Sequence, residues 1–176
     1  MPALQSLTNN KSGERRWYVA RVGSCQEKKV AAGLAGRGVE HYLPVRREVR
    51  RWSDRRKVID ALVLPRYIFL HCTDTERLEV LSSDPKIRGF LSMDGVPSVV
   101  RDSEMEAFRR MVEQGSGVSV TSEPLAPGDR VRVLDGPLTG LECELVSVGA
   151  GRCLAVRLGL LGTATMDLDI QTVEKI

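Results

Sequence analysis

A chain of 176 residues, 42% apolar and 28% charged, is long enough for one large domain or two small ones with buried cores, and that composition excludes general disorder. The net charge of +3 is unevenly placed: residues 1–124 carry 21 Lys and Arg against 16 Asp and Glu, and residues 125–176 carry 5 against 7, so the first part is the one suited to meet phosphate. Cys25, Cys72, Cys143 and Cys153 form no CxxC pair or metal spacing, and a polar start without any apolar run of about 18 residues predicts a cytosolic protein that spans no membrane.

After a flexible head, residues 1–15, the aromatic and β-branched run Trp17-Tyr18-Val19-Ala20-Arg21-Val22 predicts a first strand. Gln26 to Arg37 predicts a helix, since Val30, Ala31, Leu34 and Ala35 recur at helical spacing and Glu27, Lys28 and Lys29 fall on or near its outer face. Gly36-Arg37-Gly38 stops it; that GxG lacks the third glycine and preceding strand-turn of a nucleotide loop. Val39 to Leu43 predicts a strand closed by Pro44. Val45 to Trp52 then runs extended to a turn at Ser53-Asp54, and Lys57 to Val63 returns.

Leu64-Pro65-Arg66-Tyr67-Ile68-Phe69-Leu70 predicts a buried central strand entered through a proline. A short helix over Thr75 to Leu81 is capped by Thr73 or Asp74, followed by a strand over Ile87 to Ser92, a turn at Asp94-Gly95 and a short strand over Ser98 to Val100. Asp102 caps a last helix through Gln114, whose Met105, Phe108, Met111 and Val112 form one apolar stripe.

Residues 115–124 are Gly, Ser, Thr and Pro with a little valine, and predict a linker. Beyond it only short β-like runs occur: Arg130 to Leu134, Glu142 to Val148, Arg152 to Leu158, Thr163 to Leu168 and Ile170 to Val173. Within the Pro127 to Gly140 run, Val131 and Val133 share one strand face and Asp135-Gly136-Pro137 reverses the chain, which together predict a small barrel of the SH3 kind.

Three segments in this order resemble the NusG family of bacterial transcription elongation factors: Trp17-Tyr18-Val19 with its helix, Pro65-Arg66-Tyr67-Ile68-Phe69, and Gly128-Asp129-Arg130-Val131-Arg132-Val133 through Gly140. The resemblance covers roughly residues 15 to 176. It implies an α+β protein in which an N-terminal α/β NGN domain, 16–114, with an antiparallel sheet flanked by helices, is joined through 115–124 to a KOW barrel, 125–176. Gly128, Asp129, Val131, Val133, Gly136 and Gly140 carry the KOW motif. Arg66 departs from the glycine usual in housekeeping members, and specialised paralogues such as RfaH tolerate a polar residue there. Tyr42-Leu43-Pro44, Arg51-Trp52-Ser53-Asp54-Arg55 and Gly95-Val96-Pro97-Ser98-Val99-Val100 are similar to the UpxY-type antiterminators of capsular polysaccharide operons.

The resemblance implies a processive antitermination factor without cofactor, whose NGN domain grips the clamp helices of the RNA polymerase largest subunit. Tyr67 and Phe69 match the aromatic positions of that surface, with Trp17, Pro65 and Phe90 as neighbours. Aromatics on a central strand equally read as core. Thr73, Thr75 and Arg77 lie where the family makes a second polymerase contact, and the two threonines equally read as helix caps.

The run Arg46, Arg47, Arg50, Arg51, Arg55, Arg56 and Lys57, with Trp52 at its tip, suits phosphates and a stacked base on upstream or non-template DNA, or is a solvated charged tip. Ser24, Gln26 and Lys29 stand where paralogues read the non-template strand. The KOW partner implied is a ribosomal protein or Rho, and the abundance of Val, Thr and Gly predicts a β rather than a helical form. A housekeeping NusG-type factor and a ribosome-associated RNA-binding protein are the alternatives. His41 and His71 have no Ser or Cys partner at a recognisable spacing, so the sequence predicts no enzyme.

Overall fold

The computed structural model describes residues 13–114, 117–167 and 173–176. Its N-terminal unit runs β1 (Arg16–Val22), α1 (Glu27–Gly36), β2 (Glu40–Tyr42), β3 (Val45–Arg51), β4 (Arg56–Leu62), β5 (Tyr67–Cys72), α2 (Asp74–Ser83), β6 (Ile87–Phe90), β7 (Ser92–Met93), β8 (Val96–Pro97), β9 (Val99–Val100) and α3 (Asp102–Gln114). The main sheet has the order β2-β5-β1-β6, with β9 also pairing β1, and every pairing is antiparallel.

Alternation along β5 divides the core. Ile68, Leu70 and Cys72 join Tyr18, Val30, Leu34 and Val80 on the side of α1 and α2. Phe69, opposite Val19 in register, joins Trp17, Met105 and Phe108 on the side of α3. The α3 stripe packs as the sequence predicts, with Met105, Phe108, Met111 and Val112 all buried. For α2, Thr73 is the N-cap: its hydroxyl accepts the Glu76 N–H at 3.2 Å and the Glu76 carboxylate accepts the Thr73 N–H at 2.9 Å, a reciprocal capping box.

The central strand begins at Tyr67 instead of Leu64. Pro65 has no N–H for a ladder, and Arg66 adopts φ +71°, which breaks the extended chain. Glu27 is buried, not outward-facing; its carboxylate accepts the Arg66 N–H at 2.8 Å and ties the start of α1 to this turn. Burial of that carboxylate is compensated by a hydrogen bond supplied from a distant loop.

The C-terminal unit comprises β10 (Ser119–Thr121), β11 (Asp129–Val133), β12 (Glu142–Val148), β13 (Gly151–Arg157), a 3-10 turn (Gly159–Leu161), β14 (Thr163–Asp167) and β15 (Val173–Lys175). These strands form one antiparallel sheet in the order β10-β14-β13-β12-β11-β15. Part of the predicted linker is therefore strand: Val120 pairs with Ala164, and Val118 beside it is buried. The last strand pairs at Val173–Lys175, and the predicted strand residues Leu168 and Ile170 lie outside the described residues, as do head residues 1–12 and linker residues 115 and 116.

Gly128 is required by close approach, since a Cβ there would overlap the Leu145 carbonyl. Arg157 pairs with Glu144 at 2.8 Å and donates to the carbonyls of Leu125 and Ala126 at 3.2 and 3.3 Å, fastening the incoming chain to the sheet.

The two units meet. Leu141, Leu154, Val156 and Leu158 belong to the same continuous apolar cluster as Phe69, Phe108 and Met111. Arg110 on α3 donates to the Thr139 carbonyl at 2.9 Å, so this helix is anchored to the second unit as well as to its own sheet.

Candidate functional site

The β3–β4 hairpin is the most exposed basic structure among the described residues. Its register sets Arg51 against Arg56 and Arg50 against Lys57, so like charges face each other at the tip. Such pairs destabilise a hairpin unless an anion screens them. One face carries Arg47, Arg51 and Arg56 beside the exposed Val49 and Val58, while Trp52 at the turn is 62% exposed. The opposite face is partly neutralised: Glu48 pairs with Arg46 at 2.7 Å and lies 3.9 Å from Arg50. Arg46 is half-buried and also reaches the Val118 carbonyl at 3.5 Å, which makes it a hairpin anchor. Arg55 and Lys57 are exposed.

The start of α1 lies near the hairpin base, because Lys28 Nζ donates to the Asp60 carbonyl at 3.3 Å. Ser24 and Lys29 are exposed and Gln26 is half-buried. The turn before α1 and the hairpin thus present polar and basic groups on neighbouring elements.

The five aromatic and proline candidates do not form one surface. Phe69 is wholly buried, 5.7 Å from Phe108 and 6.3 Å from Tyr42 between ring centroids. Trp17 is buried on the same side of the sheet, whereas Phe90 lies on the other side, edge-on to Tyr18 at 6.3 Å. Pro65 is exposed and Tyr67 half-buried, and with Arg66 they form the accessible end of this set.

Of the second group, Thr73 is the cap of α2 and Thr75 is exposed. Arg77 is bound to Asp74 at 2.7 Å and lies over the rings of Tyr18 and Phe90 at 5.4 and 5.3 Å. Burial, then Asp74, raises the Tyr18 hydroxyl above its usual range. Arg77 therefore spends its charge inside the unit.

Composition did not single out Arg109. Its guanidinium lies 4.7 Å from the Trp17 ring centroid and 4.9 Å from that of Tyr42, and Trp17 stacks in turn on His71 at 4.8 Å. Burial, then Glu113, pushes the Tyr42 hydroxyl up, and Arg109 opposes them. The available signal was positional: Arg109 stands four residues after Met105 and three before Val112, a cation beside an apolar stripe.

In the second unit Val131 and Val133 are buried, Asp129 pairs with Lys175 at 2.8 Å, and the Gly140 N–H closes onto the Val133 carbonyl at 2.7 Å while Gly136 accepts from Thr139. These motif residues build the strand and its turn. Burial pushes the Cys72 and Cys143 thiols up to about 12, and burial with the Asp167 hydrogen bond takes Cys153 to about 11. Three of the cysteines are thus poor nucleophiles. His71 contacts Glu40 at 2.6 Å, and His41 contacts the Val39 carbonyl at 2.9 Å.

These features define a two-unit protein whose exposed chemistry is basic and aromatic. The family described as transcription termination factor nusG matches residues 15–109, more than half of the chain, and the chain belongs to the NusG family. Its members are transcription factors and not enzymes. The transcription termination/antitermination protein NusG of Chlamydia pneumoniae is 27% identical over 92% of this chain and 95% of its own, and that of Pseudomonas aeruginosa is 25% identical over 92% and 99%. A structure of Thermotoga maritima NusG, solved for its domain interaction, is 22% identical with a TM-score of 0.47, covering 93% of this chain and 98% of its own. No helix among the described residues is long and apolar enough to cross a membrane.

Proposed function

We propose that this protein is a specialised NusG-type antitermination factor, which holds RNA polymerase in its elongating form and follows upstream or non-template DNA with the β3–β4 hairpin. The observation that carries this reading is the pairing of Arg51 with Arg56 and of Arg50 with Lys57 around an exposed Trp52. That arrangement gains from phosphate what it lacks in the free protein, and the indole supplies a platform for a base.

The N-terminal unit is the NGN domain and engages the polymerase clamp helices from the Pro65–Tyr67 end of its α3-side face. Thr75 is the exposed member of the second polymerase contact. A protein held on both sides of the cleft stabilises the closed clamp because it binds that state best. The C-terminal unit is the KOW domain, whose partner is a ribosomal protein or Rho. Arg66 in place of the housekeeping glycine supports the specialised reading, with a surface-polysaccharide operon as target.

The test is transcription through a pause and a terminator by purified bacterial RNA polymerase. Full-length protein raises readthrough, and Tyr67→Ala loses both readthrough and polymerase binding while keeping its melting temperature. Wild-type readthrough by Tyr67→Ala, or loss of folding together with binding, removes Tyr67 from the contact. No effect of the full-length protein on either signal refutes the function itself.

A further inference from the structure

Among the described residues, half-buried arginines have their hydrogen-bonding needs met by oxygen. Arg16, Arg46, Arg77 and Arg157 meet Glu14, Glu48, Asp74 and Glu144, and Arg110 meets the Thr139 carbonyl. Arg109 is the exception. It is half-buried, and among the described residues its Nε, shielded from water, has no hydrogen-bond partner and no carboxylate lies within 4.0 Å of it.

The rings of Trp17 and Tyr42 account for its position, because a π face attracts the charge without replacing an oxygen acceptor, and with Nε closed to water the two Nη groups are the donors left for one. Trp17 comes from β1 and Tyr42 from β2, with β5 between them in the sheet, so Arg109 reaches across the middle of the α3-side face. A guanidinium held in this way is preorganised for a planar, bidentate acceptor.

We propose that Arg109, held over Trp17 and Tyr42, receives a carboxylate from the protein partner that docks on the α3-side face of the N-terminal unit. This rests on the polymerase reading above and names the chemistry of its contact: an acidic side chain on a clamp helix. A phosphate backbone fits less well. Glu113 lies four residues further along α3, and Glu40 and Asp102 stand 2.6 and 4.0 Å from the His71 that stacks on Trp17. A single carboxylate passes these acidic groups, whereas a row of phosphates is repelled by them. The surface suited to DNA is the separate hairpin.

The test measures binding of the full-length protein to bacterial RNA polymerase core enzyme and to duplex DNA. Arg109→Met keeps the stem against the rings and removes the donors. Arg109→Lys keeps the charge and removes the fork. Each is expected to weaken polymerase binding at least about tenfold and to leave DNA affinity unchanged. One Glu→Gln or Asp→Asn change on the clamp helices should then have no further effect in the Arg109→Met background.

If Arg109→Met binds polymerase within twofold of wild type while Tyr67→Ala does not bind, the inference falls and the polymerase reading stands. If neither variant alters polymerase binding, the inference falls and Tyr67 leaves the contact; if the full-length protein binds no polymerase, both the inference and the polymerase reading fall. A loss of DNA affinity on removing Arg109 overturns the carboxylate in favour of phosphate. Should Arg109→Met fail to fold, full binding by a folded Arg109→Lys overturns the fork-specific contact.

Discussion

The backbone N–H of Leu160 donates to the Ser98 hydroxyl across 3.0 Å, joining the 3-10 turn of the C-terminal unit to the chain just before β9. Gly159 makes this approach possible. It adopts φ +60°, and a Cβ on it would stand 2.5 Å from Ser98 Oγ and 3.3 Å from the Val99 carbonyl. Gly159→Val should therefore part the units locally and cost about 1–3 kcal/mol. Thermal melts read the loss of stability, and faster proteolysis between residues 121 and 128 reads the opening. An unchanged cleavage rate with an unchanged melt would show that the contact does not hold the units together.

At the hairpin, stability and binding should move in opposite directions. Arg51 and Arg56 face one another, so changing both to alanine relieves repulsion and leaves stability equal or a few tenths of a kcal/mol higher. Duplex affinity should fall, and the slope of log K against log salt should lose roughly 0.9 for each phosphate contact removed. Fluorescence anisotropy over a salt series measures both quantities. Retention of the full slope would place DNA elsewhere.

Glu144 links stability to pH. The Arg157 hydrogen bond lowers its carboxyl below the usual range, burial opposes, and the Gly128 N–H adds to the lowering. A depressed carboxyl contributes stability that is complete above its unfolded value of about 4.3 and is lost as pH falls through its folded value. Arg157→Met should cost about 1–3 kcal/mol at pH 7. The gap from wild type should narrow below about pH 4, without vanishing, because the bonds from Arg157 to the Leu125 and Ala126 carbonyls do not titrate. Urea titrations at pH 7 and pH 3 provide the comparison.

Arg66 carries a conformational cost in an exposed position. With φ +71° and a side chain in solvent, it gains nothing from the turn that glycine would not supply. Arg66→Gly should stabilise the protein by up to about 1 kcal/mol, since relief of the left-handed strain exceeds the added freedom of the unfolded chain. Chemical denaturation measures it. A destabilisation would mean that the Arg66 side chain makes a contact that offsets its backbone.

Local periods were enough for several features. Alternation placed Tyr67 and Phe69 on one face of β5 and Ile68 on the other, and helical spacing picked out Met105, Phe108, Met111 and Val112 on α3, because both repeats are properties of the backbone alone. Residue chemistry likewise placed a cap at Thr73 or Asp74, which the structure resolves to Thr73, and a turn at Asp135-Gly136-Pro137.

What only the tertiary structure decided are the matters settled by partners far apart in the chain. Glu27 is buried because Arg66, 39 residues away, donates to it, and Ser119–Thr121 is strand because β14 lies beside it. Phe69 is core because Phe108 of α3 packs on it at 5.7 Å, whereas Tyr67, on the same strand face, stays half-buried at the edge of that cluster. Arg109 looks like any solvent-facing helix cation until Trp17 and Tyr42 are brought over it from two strands. Sequence patterning reports what each residue prefers along its own element; whether a charge is solvated, paired or left waiting depends on which other elements pack against it.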